Sequence, residues 1–193
     1  MPPDATDTKR RILLAAGDEF SEFGLAGARI DRIADRAKVN KRSIYVHFGP
    51  KEELFDLVVA RTLSAMSEDV PFTADDLPGY AGALFDYLMA TPAVLRLITW
   101  AGLERPDATD AEFQTYEPKV VGLNEKYDRS GADVLALLLG LVTAWPAASP
   151  ALRSHASQSP WSKSRLRTHR ALMVASVEAL VEVARQTASA RGN

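Results

Sequence analysis

The side chains best suited to chemistry are concentrated in one stretch, IDRIADRAKVNKRSIYVHFGPK, from Ile30 to Lys51. Lys41, Arg42, Ser43, Tyr45 and His47 place an ammonium, a guanidinium, a hydroxyl, a phenol and an imidazole close together, with Asn40 just before them and Lys51 just after. These groups suit the surface of duplex DNA. Lys41, Arg42 and Ser43 are candidates for base edges, because lysine and arginine reach the guanine acceptors of the major groove. Tyr45, His47 and Lys51 are candidates for phosphate oxygens, which set register without reading sequence. A half-buried aromatic wedged between helices is the alternative for Tyr45. No catalytic arrangement competes with this reading. The histidines (His47, His155 and His169) lack metal-ligand spacing, and there is no cysteine, Gly-rich phosphate loop or Gly-x-Ser-x-Gly elbow. No enzyme activity, cofactor or metal is expected.

Two short helices must carry these groups. Ile30, Ile33, Ala34 and Ala37 fall at i, i+3, i+4 and i+7, one apolar stripe of a helix. Lys38-Val39-Asn40 then interrupts the pattern for the length of a tight interhelical turn. Asn40 can cap the next helix by accepting from a free amide. That helix, Lys41 to Phe48, buries Ile44 and Phe48, and Gly49-Pro50 stops it. A short polar helix held on an apolar one is the geometry that enters a major groove.

Charge is distributed to match. Net charge is −2 overall, yet seven cations between Gly27 and Lys51 face only Asp31 and Asp35. Asp31 and Asp35 are expected to neutralise Arg32 and Arg36 locally. Lys41, Arg42 and Lys51 have only Glu52 and Glu53 nearby and are left for a ligand. Lys9, Arg10 and Arg11 are candidates for the DNA backbone.

Phe23-Gly24, Ile33-Ala34, Ala37, Val39, Ser43-Ile44-Tyr45, Phe48 and Lys51-Glu52-Glu53-Leu54 resemble the DNA-binding domain of TetR-type transcriptional regulators. The resemblance spans roughly residues 9 to 60. It implies an all-α fold, with a three-helix helix-turn-helix domain over residues 7–54. A long helix would join it to an α-helical regulatory and dimerisation domain over residues 55–193. It also implies an operator of double-stranded DNA, a homodimer and a small apolar or amphipathic inducer. Two positions depart from the family. Lys38 replaces the usual Gly of the turn, so a left-handed lysine costing about 1 kcal/mol is expected. Arg29 replaces a capping Thr, and its guanidinium is a candidate for phosphate or a groove edge. The alternative function is an architectural or partner-docking DNA-bound regulator that takes no small molecule.

Composition sets outer bounds. The chain has 193 residues, 47% hydrophobic and 25% charged, enough for one large core or two small ones. The N-terminus MPPDATDTKRR lacks a signal-type apolar segment. The apolar run Val134–Trp145 falls short of the roughly 20 residues a membrane span requires. A cytoplasmic protein without a membrane segment is expected.

In chain order, residues 1–6 read as a loose tail, and Asp7 or Thr8 as the cap of a helix to Phe23 that Gly24 ends. Further helices are expected over about Lys51–Glu68, Leu77–Ala90 and Pro92–Leu103, the last apolar nearly all round and therefore central. Glu104–Asp110 reads as a loop, and Ala111–Tyr127 as a helix interrupted or restarted at Pro118. Asp133 is expected to cap the run Val134–Trp145, which needs cover on every side. Pro146–Ser164 reads as a long loop and Ser164–Ser189 as a final helix. The resemblance implies that the last two helices pair with their copies in a four-helix bundle, through Leu137, Leu141, Leu172, Val177 and Leu180; the alternative is that both simply fill the core of a monomer. It also implies a ligand cavity. Phe85, Leu88, Met89, Leu97, Trp100, Phe113, Tyr116 and Trp145 are the candidate lining, with Trp100, Tyr116 and Trp145 nearest the ligand. Ordinary core is the alternative for each.

Overall fold

The computed structural model describes residues 5–105 and 107–191, so most of the tail expected over residues 1–6 lies outside the described residues. The helices are α1 (Ala5–Gly27), α2 (Ile30–Ala37), α3 (Lys41–Phe48), α4 (Lys51–Asp69), α5 (Leu77–Ala90), α6 (Pro92–Glu104), α7 (Asp110–Lys126), α8 (Gly131–Ala147), α9 (Pro150–Ser154) and α10 (Lys163–Arg191). No strand occurs among the described residues, as the all-α reading requires. Two compact units divide the chain. The first holds residues up to Met66 together with Thr91–Phe113, and the second holds Ser67–Ala90 together with Gln114 onward. This division differs from a boundary at residues 54 and 55, because most of α4 and all of α6 belong with the first unit.

The first unit is built on α1. Ile12, Phe20, Ile33, Ile44, Leu54 and Phe55 are all fully buried, drawn from α1 through α4. Each buried side chain of this size contributes about 1.5–3 kcal/mol. Phe20 meets Phe55 edge-on, with ring centroids 5.0 Å apart. The regular part of α1 ends at Gly24, whose φ of 67° favours glycine. A Cβ there would also stand 2.9 Å from the Trp100 ring. Glu104 accepts the Leu25 and Ala26 amides beyond the break, and Arg96 donates to the Ser21 carbonyl at 3.1 Å. These bonds tie α6 to α1. It is not the central helix its composition suggests, since only Leu97 and Ala101 on it are buried.

The second unit packs α5, α8 and α10 together. Leu77, Leu84, Phe85, Leu138 and Val177 form its core, with Leu123 and Tyr127 from the end of α7 and just beyond it. Arg170 on α10 grips the Asp86 carboxylate of α5 through Nε, 2.9 Å from each oxygen. Several expected ends shift. Asp7 pairs with Arg10 and Arg11 instead of capping α1. Pro118 sits inside a continuous α7, where buried Lys119 and Leu123 follow it. Ser130, without a side-chain cap bond, precedes α8, and Asp133 lies within its first turn. Asn124 supplies the missing acceptor, taking the Gly131 amide at 2.9 Å. Pro146 lies within α8, and the stretch beyond it contains α9, which Ser149 caps. Nor is α8 covered on every side: Leu137 is 55% exposed.

Gly24→Ala is expected to cost about 1–3 kcal/mol in urea unfolding, from the strained φ together with the Trp100 clash. Gly102→Ala, with nothing within 4 Å of the added Cβ, should instead stabilise by about 0.5–1 kcal/mol. Equal effects at the two positions would contradict the packing described.

Candidate nucleic-acid interface

The angle between α2 and α3 is set by local backbone chemistry. Lys38 adopts φ 53°, ψ 48°, the left-handed conformation expected of it. Its amide donates to the Asp35 carbonyl at 3.1 Å, and that of Val39 to Ala34 at 3.0 Å, closing the end of α2. Arg11 of α1 also donates to the Ala37 carbonyl at 2.8 Å. That guanidinium therefore serves a helix C-terminus, where positive charge is favoured, rather than lying free along DNA. Asn40 caps α3 as expected, its Oδ1 accepting the Arg42 amide at 2.8 Å. The Gly49 amide, at φ 70°, closes the other end onto the Tyr45 carbonyl at 3.0 Å.

With fully buried Ile44 as the anchor of α3, helical geometry turns positions 42 and 46 away from the core. The Arg42 side chain makes no hydrogen bond or ion pair among the described residues. Tyr45 is about half exposed, which leaves its phenol reachable, and Val46 is 70% exposed. Val46 is absent from the sequence candidates because an apolar residue carries no hydrogen-bonding signal. It can nonetheless meet a thymine methyl group. Ser43 and His47 are partly covered, and His47 lies edge-on to Phe48 at 6.2 Å.

The ion pairs differ from the local pairing expected. Lys41 Nζ lies 2.8 Å from the Asp31 carboxylate, which raises its pKa through that hydrogen bond and then through charge. Lys41 is thus shared between α2 and any ligand. Arg36 faces Asp18, 3.6 Å away, and Arg32 binds Glu19 at 2.6 Å. Asp31 and Asp35 do not face the arginines that directly follow them, because adjacent helical residues diverge by about 100°.

Glu19 is the residue that sequence reasoning missed. It is fully buried and accepts from the Arg29 amide at 2.9 Å and from Arg32 Nε at 2.7 Å. The signal was present: Glu19 falls seven residues after Ile12 and three after Ala16, on the apolar stripe of α1. Burial pushes its carboxyl up. Arg32, the Arg29 amide and the Arg36 charge together outweigh this and hold it below the ordinary value of 4.5. Arg32 also lies 4.2 Å over the Phe23 ring. From the opposite side, Lys51 Nζ donates to the Ala28 carbonyl at 3.2 Å. The Ala28–Arg29 link is therefore held by both α1 and α4, with the Arg29 side chain exposed beside it.

The other candidates divide between the units. Phe85 and Trp145, in the second, flank His169 at centroid distances of 5.7 and 5.4 Å. Leu88 is buried, Met89 is partly covered, and Tyr116 lies beside Lys119. Leu97, Trp100 and Phe113 belong to the first unit, where Trp100 lies against Gly24 and Phe113 is exposed. On α8 and α10, Leu137 and Leu172 are exposed and Leu141 and Leu180 partly so. Val177 is fully buried against its own chain and cannot face a partner.

A short polar helix capped at both ends, carried on an apolar one through a left-handed turn, defines a helix-turn-helix DNA-binding regulator. Residues 12–58 match the family described as bacterial regulatory proteins, tetR family, and residues 76–178 match the tetracyclin repressor-like C-terminal domain. The HTH-type transcriptional repressor SCO4008 of Streptomyces coelicolor is 37% identical over 161 residues, 78% of this chain and 83% of the relative. The HTH-type transcriptional repressor NicS of Pseudomonas putida is 30% identical over 52% of this chain and 51% of its own length. The crystal structure of SCO4942 from Streptomyces coelicolor superposes with a TM-score of 0.73 at 36% identity, covering 90% of this chain and 97% of that one. The chain belongs to the TetR family, whose members are transcriptional regulators and not enzymes.

Arg32→Met leaves the Glu19 carboxylate buried with a single partner. It should destabilise the protein by about 1–3 kcal/mol at neutral pH. Because the folded-state pKa of Glu19 is depressed, the stability it contributes is present above 4.5 and lost as pH falls through the lower folded value. Native and variant stabilities measured in urea should therefore converge below that pH. A pH-independent difference would contradict this role for Glu19.

Proposed function

We propose that the chain is a homodimeric, sequence-specific repressor, acting in the cytoplasm and released from its operator by a small apolar or amphipathic ligand. The observation that carries the reading is the outward face of α3, where Arg42 has no intrachain partner among the described residues and Tyr45 and Val46 stand exposed. In this reading Lys41, Arg42 and Ser43 meet base edges, and Tyr45, His47, Lys51 and Arg29 meet phosphates. Asn40 acts through its cap, by holding the first turn of α3 in place. Repression is supported by SCO4008 and NicS, both named as repressors.

Dimerisation is supported by an uncovered apolar face. The packed helices α8 and α10 leave Leu137 55% and Leu172 67% exposed, with Leu141 and Leu180 partly covered beside them. Exposed apolar side chains on adjacent helices favour association with a like surface. Ligand release is supported by the aromatic content of the second unit, where Phe85 and Trp145 lie against the same imidazole.

The test is selection from random duplexes followed by quantitative binding. Arg42→Ala should cost about 1–3 kcal/mol on the selected site and relax preference at the bases it reads. Lys51→Ala should weaken selected and unrelated duplexes alike, with a shallower salt dependence. Unchanged preference in Arg42→Ala would remove that residue from base reading. Failure to enrich any sequence would overturn the function.

A further inference from the structure

Lys119, on α7 in the second unit, is only 8% exposed. A lysine buried to this degree ordinarily has a carboxylate partner. Here no charged group offsets its desolvation, and burial alone depresses its pKa. Its hydrogen-bond partner is the Tyr80 hydroxyl, at 3.5 Å. Three rings surround the ammonium, those of Phe72 at 5.9 Å, Tyr80 at 5.7 Å and Tyr116 at 5.9 Å. Phe72 and Tyr80 meet edge-on at 5.1 Å, so the box has a fixed corner. Ring faces attract a cation, but they replace lost hydration less completely than an opposite charge does.

The box is also asymmetric. Tyr80 is buried, whereas Phe72 and Tyr116 are partly exposed, so water reaches their side. Burial pushes the Tyr80 hydroxyl up to about 12, with Tyr116 adding to the effect, and the phenol therefore remains a proton donor at neutral pH. Two donors, one of them charged, thus stand 3.5 Å apart beside aromatic walls. That spacing suits the two oxygens of one carboxylate, each taking one hydrogen bond. A cationic ligand would be repelled by the ammonium already in the box, and a neutral one would leave the buried charge unpaired.

We propose that Lys119 and Tyr80 form the anion-binding end of a ligand site in the second unit, for a small monocarboxylic acid whose apolar body rests against Phe72 and Tyr116. Lys119 supplies the opposite charge, Tyr80 fixes the orientation of the carboxylate, and the two outer rings select a flat or aliphatic body. The proposal names a chemical class for the ligand of the release reading. It rests on that reading only for what binding does to DNA.

The test is thermal unfolding of the full chain with benzoate, salicylate, 1-naphthoate and hexanoate, each beside its neutral amide. At least one carboxylate should raise Tm saturably, with its amide at least tenfold weaker. Lys119→Met should abolish that response. Without ligand its Tm should rise by about 2–4 °C, because an uncompensated buried charge has been replaced by a side chain of similar volume. Tyr80→Phe should weaken the carboxylate several-fold while keeping the preference over the amide. The proposal is overturned if no carboxylate shifts the native chain, if Lys119→Met responds as the native chain does, or if that variant melts lower, which would make the lysine structural. Carboxylate binding that leaves duplex affinity unchanged would sink the release reading and leave this site standing. Release by other compounds with no carboxylate binding would do the reverse.

Discussion

The Glu19 carboxylate, with no access to water, governs the architecture of the first unit. It accepts the Arg29 amide at the start of α2 and the Arg32 guanidinium one turn later. A buried carboxylate must find such partners, because an unpaired one would be protonated or would unfold its surroundings. That requirement fixes where α2 begins on α1. The Lys51 ammonium holds the neighbouring Ala28 carbonyl from the side of α4. With the origin of α2 set, the left-handed Lys38 and the Asn40 cap determine where α3 points. The exposed placement of Arg42 thus follows from polar bonds made behind it.

The second unit follows a different logic. Its helices hold one another by apolar packing and by the Arg170–Asp86 pair, yet it leaves two kinds of surface unresolved within one chain. The outward leucines of α8 and α10 remain in water, and Lys119 remains buried without a counter-charge. Neither favours the isolated chain. In the proposed reading a second copy would cover the leucines and a small acid would pair the ammonium.

Legibility in the sequence followed the range of the interaction. Local cap chemistry was readable: Asn40 begins α3, Gly49 ends it, and Leu77–Ala90 has the bounds its periodicity predicts. The left-handed Lys38 could be anticipated from the turn length together with the family resemblance. Ion-pair partners could not be read in the same way. Arg32 finds Glu19 and Lys41 finds Asp31 across helices, and such meetings depend on crossing geometry that spacing alone does not encode. Prolines 118 and 146 misled for a related reason. Each removes one amide bond from its helix, but packing elsewhere along α7 and α8 keeps the helix continuous. Uniform apolarity misled for α6, because composition reports what could be covered and not what is. Val46 escaped notice because its chemistry is only shape.

The proposed function requires α3 to act as a groove-reading rod that a pair of chains presents twice. Hydroxyl-radical footprinting of the native protein on its selected duplex tests this most directly. Two protected segments on one face of the helix, with centres about 10–10.5 base pairs or a multiple of that apart, are expected from two symmetry-related copies of α3. A single protected segment, or protection without regard to helical phase, would contradict it.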